Sequence, residues 1–235
     1  MGTLAVDNIQ HTDGSSAVTL NNATITTGII PAAGVTGVLP VGVTGGSGLT
    51  SVPGASWVKL EEVNASSSTT VTIGSASIFS STYDLYCIKL TGLKCSAGGH
   101  TLRCRYFLGG TLSQSSGDYR WTNERYYSTT ESITGSQSDN LFDVHTNWNT
   151  AIQEGGDTIL FGMLYLHNPA DTDIMTFFEG TTMSGDGSNR PTISRFGVFN
   201  NQAGGAAEIA CTGLRFFQSS GNLNSGKFVI YGIKD

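Results

Sequence analysis

Apolar and polar side chains alternate with a period of two through most of the chain beyond residue 56. "DLYCIKLTGL" (84–93) places Tyr86, Ile88 and Leu90 on one side and Leu85, Cys87 and Lys89 on the other. "TLRCRYFLG" (101–109) sets Leu102, Cys104, Tyr106 and Leu108 against Arg103, Arg105 and Phe107. Such alternation predicts strands. Further runs of strand length are "SWVKLEEV" (56–63), "TTVTI" (69–73), "IMTFFEGTTM" (174–183), "ISRFGVFN" (193–200), "IACTGLRFFQ" (209–218) and "KFVIYGIK" (227–234). Turn clusters such as "CSAGGH", "NQAGG" and "SGNLNSG" separate them. "TILFGMLYLHN" (158–168) is apolar over nearly its whole length and predicts a central strand. One segment departs from period two. "SDNLFDVHTNWNTAIQEGG" spaces Leu141, Val144, Trp148, Ala151 and Ile152 near a helical period, with Ser138 or Asp139 as cap and Gly155 as stop. The pattern predicts an all-β fold: an antiparallel, jelly-roll-like β-sandwich with little helix.

The front of the chain follows neither period. "VLPVGVTGGSGLTSV" (38–52) carries no charge and is rich in Gly, yet Val38, Leu39, Val41, Val43 and Leu49 are apolar. A flexible linker lacks such branched side chains, and a core strand lacks so many glycines. Residues 1–55 hold two charged side chains, Asp7 and Asp13, and no aromatic residue, whereas every aromatic and every basic residue follows. The composition therefore predicts an extended arm over 1–55 and a β domain over 56–235, divided at Pro53-Gly54. The arm has too few residues to enclose its own apolar groups. Val35, Val38, Leu39, Val41, Val43 and Leu49 are accordingly expected to pack against other chains.

Composition narrows the function. Twelve basic residues against 18 acidic ones give a net charge of −6, and no Lys or Arg precedes Lys59. Phosphate neutralisation needs clustered Lys and Arg, so nucleic acid is not an expected partner. No stretch approaches membrane-spanning length, and Met1–Gln10 lacks a basic and an apolar leader region. Neither membrane insertion nor export by a signal peptide is expected, which places synthesis in a cytoplasm. Cys87, Cys95, Cys104 and Cys211 form no C-x-x-C pair, which argues against zinc. The first three fall on what read as neighbouring strands, where a disulfide is open, and buried thiols are the simpler reading.

Catalytic sets are weak, and neither a catalytic residue, a metal nor a cofactor is predicted. His11, His100, His145 and His167 have no metal-ligand spacing to one another. "NPADTDIM" carries Asp171 and Asp173, which read as a polar turn more readily than as a Ca²⁺ or glycosidase pair. "GDYRWTNERYY" (117–127) gathers Tyr119, Trp121, Tyr126 and Tyr127 with two arginines. These four aromatics are the candidate contact residues for a ligand or partner.

Both ends of the chain resemble a known group. "GVLPVGVTGGSGLTSV" is similar to the LPV-x-x-GGTG-L stretch of tail fibres and related surface proteins of tailed bacteriophages. "LAVDNIQHTDGSSAVTLNNATITTG" resembles the start of phage structural proteins, and "CTGLRFFQSSGNLNSGKFVIYGIKD" resembles their closing hairpin. The resemblance implies a non-enzymatic virion component, usually trimeric, with an attaching N-terminal segment and an outward β domain. A short tail fibre that contacts the host is the leading expectation, with other tail or capsid proteins as partners. A capsid decoration or cement protein clamping capsomers through the same arm is the alternative. A carbohydrate-active sandwich acting on host glycans through Trp121, Tyr126 and a carboxylate pair is a further one.

Overall fold

The computed structural model describes residues 57–96, 100–127, 130–148, 159–185, 191–200 and 209–234. The chain divides into Met1–Thr50 and Ser51–Asp235, and the described residues belong to the second unit. They form strands β1 (Trp57–Asn64), β2 (Thr70–Ile73), β3 (Leu85–Cys95), β4 (His100–Leu108), β5 (Thr111–Leu112), β6 (Tyr119–Tyr127) and β7 (Thr130–Asp139). These are followed by β8 (Phe142–Trp148), β9 (Leu160–His167), β10 (Phe177–Gly185), β11 (Pro191–Asn200), β12 (Cys211–Gln218) and β13 (Leu223–Ile233). Among the described residues there is no helix, and every strand pairing is antiparallel.

The pairings are nested. The first strand pairs with the last, β1 with β13. Inside that pair β2 lies beside β12, β3 beside β9, and β4 beside β8. These eight strands fall into two rows of four, β1-β13-β3-β9 and β2-β12-β4-β8. The chain between β4 and β8, and between β9 and β12, supplies the rest. It lengthens the first row into an eight-stranded sheet by adding β10-β11-β6-β7 at the β9 edge. The nested strands are called the roll below, and the four added strands the extension.

Alternation explains which side chains fill the space between the sheets. Tyr86, Ile88 and Leu90 of β3 are buried there, as are Leu102, Cys104, Tyr106 and Leu108 of β4. Phe216 of β12 and Phe228 of β13 join the two sheets, with ring centroids 4.9 Å apart. β13 carries two bulges between Leu223 and Lys227, and Gly226 lies there at φ +110°. A Cβ at Gly226 would fall 2.6 Å from Leu93 Cα, so glycine is required for both conformation and space.

Three expectations are corrected. The predicted helix is instead strand through its described part: Ser138 and Asp139 end β7, and Phe142–Trp148 is β8, paired with β4. Its period was disguised because both faces are covered. Phe142 and Val144 are buried from one side, and His145 is buried from the other. Second, β12 and β13 are no closing hairpin, since they lie in different sheets. Their connection is tied to other segments, Ser219 N donating to Thr101 O and Leu223 N to Ser68 O. Third, Cys87 and Cys104 stand on different sheets rather than on neighbouring strands. Cys87, Cys104 and Cys211 are buried thiols. Burial pushes the Cys87 thiol up to about 11 and the Cys211 thiol up to about 12, so neither is nucleophilic.

Candidate functional site

The outward face of the large sheet is unusually apolar at its centre. β9 lies fourth in the eight-stranded order, with Leu160, Leu164 and Leu166 pointing into the core. Its opposite side carries Phe161 and Met163, each 40% exposed, and the register sets Phe161 beside Met183 of β10, which is 47% exposed. A strand apolar on both sides normally has both faces covered. Here the described residues cover one.

The same face opens into a cleft of about 970 Å³ toward the other end of β10. The register aligns His167, Phe177, Phe199 and Arg120 across β9, β10, β11 and β6. The next outward row is Tyr165, Glu179, Gly197 and Thr122. Phe178 and Val198, one residue along, point into the core, so Phe177 and Phe199 point out. Their rings lie 5.8 Å apart and tilted by 44°, and Phe177 is 50% exposed. His167 Nε2 lies 3.1 Å from Glu179 Oε1. Arg195 on the same face is committed to the Tyr126 ring, 5.6 Å away. Arg120, at the cleft edge, has no such partner among the described residues.

The small sheet presents a different surface. Arg105 stacks over Phe217 at 5.0 Å and Arg215 over Phe107 at 4.9 Å. Arg103 Nε reaches Asp143 Oδ1 at 3.2 Å. Burial raises the Asp143 carboxyl against the pull of Arg103. These side chains cover their own face.

The pleat of β6 divides the four aromatics expected to act together. Tyr119 is fully buried; its hydroxyl donates to Ser113 O and accepts from Tyr106 N, and burial pushes it far up. It is a core residue and not a surface contact. Trp121 packs against the core, its Nε1 donating to Asp139, and lines the cleft. Tyr127 aligns with the buried Thr192, on the inward side, whereas Tyr126 aligns with Ile193 on the outward side. Of the four, Trp121 alone borders the cleft, although it aligns with the core residue Val198 on the inward side. Phe177, Phe199 and Gly197 were overlooked because they are distant in sequence and joined only by register. The signal was present in "TILFGMLYLHN" and "IMTFFEGTTM", where apolar residues occupy both phases of the alternation. Val35, Val38, Leu39, Val41, Val43 and Leu49 lie outside the described residues.

His145 is the buried histidine nearest to a catalytic arrangement, and its geometry makes it structural. Nδ1 lies 2.8 Å from Thr182 Oγ1, and Nε2 lies 2.9 Å from Ser184 Oγ. The Thr182 hydroxyl donates to Val144 O, so it accepts from Nδ1–H, and Nε2 accepts from Ser184. Burial first, and the Arg125 charge second, push the imidazole down to about 3. The ring is neutral, contacts no carboxylate among the described residues and is 0% exposed, so no substrate reaches it. Asp173 N donates to Asp171 Oδ1 at 2.7 Å, the geometry of an Asx turn. Among the described residues no group of three or more His, Cys, Asp and Glu converges on a metal position. Comparison of the chain with family models, with curated proteins and with solved structures finds no match.

Proposed function

We propose that the chain is a non-enzymatic structural component of a tailed-bacteriophage particle. In this reading it is a short trimeric tail fibre, anchored through its N-terminal segment, with a β domain that faces outward and associates with copies of itself. The observation that carries the reading is the bare apolar face at Phe161, Met163 and Met183. Contiguous exposed apolar surface on a sheet marks an interaction site, because leaving it in water forgoes about 25 cal/mol per Å². Two further features support it. The nested order of the roll is that of a jelly roll, an architecture common among capsid and lectin domains. The N-terminal stretches of the sequence resemble those of phage structural proteins.

Sedimentation of the full chain tests the association. A trimer is expected, and Met163→Asp combined with Met183→Asp should yield a monomer with an unchanged β-sheet circular dichroism spectrum. Both side chains point into solvent within one subunit, so the charges should not disturb its fold. A wild-type chain that stays monomeric at every concentration overturns the trimer. Labelling of purified particles with an antibody to the β domain tests the location, with label expected at the tail; unlabelled particles overturn it.

A further inference from the structure

Gly197 poses a question that its own backbone does not answer. It lies inside β11, where glycine is unfavourable because it loses conformational entropy and packs nothing. Three other strand glycines of the large sheet have a steric reason. A Cβ at Gly162 would lie 2.7 Å from Thr182 Cγ2, one at Gly180 2.7 Å from Met163 O, and one at Gly135 2.6 Å from Trp121 O. At Gly197 a Cβ would meet nothing within 4 Å, and the residue has no positive φ. Neither conformation nor packing within the chain calls for glycine there. The space above it is the floor of the cleft.

What surrounds that space indicates what fills it. On one side stand the Phe177 and Phe199 rings, tilted against each other, Phe177 half exposed and Phe199 partly so. Such rings offer apolar faces to the C–H groups of a flat, hydroxylated ring. Glu179 flanks Gly197 across the strands and accepts hydrogen bonds, while His167 holds it from behind. Gln137 enters from β7 with an amide that both donates and accepts. Arg120, aligned with Phe199, is a cation without an ionic partner among the described residues. A guanidinium in this setting favours a carboxylate, which it can bind in bidentate fashion.

We infer that this cleft is a binding site for an acidic saccharide, one pyranose ring lying over Gly197 against Phe177 and Phe199 with its carboxylate on Arg120. The near edge of the site, Glu179, is about 13 Å from Met183 along β10, four residues at strand rise. It does not depend on the assembly reading, since a monomer retains every residue named.

The test is calorimetric titration of the full chain with three probes: a galacturonic acid oligosaccharide, its methyl ester and a neutral glucan of equal length. The acidic probe is expected to bind, and about tenfold more tightly than the other two. Arg120→Gln should erase that preference while keeping the weaker neutral affinity. Gly197→Leu should abolish binding of all three, with an unfolding temperature equal to or above that of the wild type. Wild-type affinity in Gly197→Leu overturns the site, as does a wild-type chain that binds none of the probes at millimolar concentration. Equal affinity for acidic and neutral probes overturns the role of Arg120. Displacement of the acidic probe by an unrelated acidic peptide with equal affinity overturns the saccharide class.

Discussion

Beneath the roll end of the large sheet, Ile88, Leu90, Phe228 and Ile230 form a core with Ile73, Leu214 and Phe216 from the small sheet. Beneath the extension, the buried set is mixed. Phe142, Phe178 and Phe196 form an aromatic cluster, with ring centroids 5.3–6.1 Å apart, but Asn123, His145, Thr182, Ser184 and Ser194 are buried beside it. The roll is held by area removed from water, which is indifferent to direction. The extension is held partly by hydrogen bonds that exist in one register only, since a one-residue slip of β10 would turn Thr182 and Ser184 away from His145. The added strands thus carry their alignment in polar groups, and the cleft, which depends on register across β9, β10, β11 and β6, inherits it.

The comparison predicts a graded series. The largest effect belongs to the roll. Phe216→Ala removes the ring that reaches Phe228 across the sheets and should destabilise the domain by about 3–5 kcal/mol in urea unfolding. A loss below 1 kcal/mol would mean that the two sheets are not joined there.

Acid should act on the extension. His145 titrates near 6.5 when unfolded and at about 3 when folded, so between those values the unfolded chain binds a proton that the folded one refuses. This contribution is full above pH 6.5 and is lost as pH falls toward 3, a change of a few kcal/mol in unfolding free energy. His145→Leu should remove that slope and cost about 1–3 kcal/mol at neutral pH, because Thr182 and Ser184 lose their ring partner. An unchanged acid slope in the variant would assign it to other groups.

Two glycine replacements sharpen the contrast further. Gly226→Ala in the roll forces a side chain into a positive φ and against Leu93, and should destabilise by about 1–3 kcal/mol. Gly197→Ala in the extension meets nothing, and should leave stability unchanged or raise it by about 0.5–1 kcal/mol. Thermal unfolding of the pair decides whether the two glycines serve folding and binding respectively.

Period two was enough to identify nine of the thirteen strands and the inward residues of β3 and β4, because the inward phase of each is apolar throughout. It was not enough for β8, where Val144 and His145 are buried on successive positions and alternation vanishes. The cleft was less legible still. Trp121 stood out as an aromatic in a cluster, yet its neighbours Tyr119 and Tyr126 went to the core and to a separate stretch of surface.

Local chemistry, read from the chain alone, settles that segments such as β4 and β9 become strands and which of their inward residues avoid water, since both depend on a residue and its neighbours two positions away. Which strands lie side by side is decided only when the chain closes. Phe177 meets Phe199, and Arg120 stands beside them, because antiparallel registers bring distant positions into one row. No local rule encodes that register, because it emerges from pairing all the strands of the sheet at once.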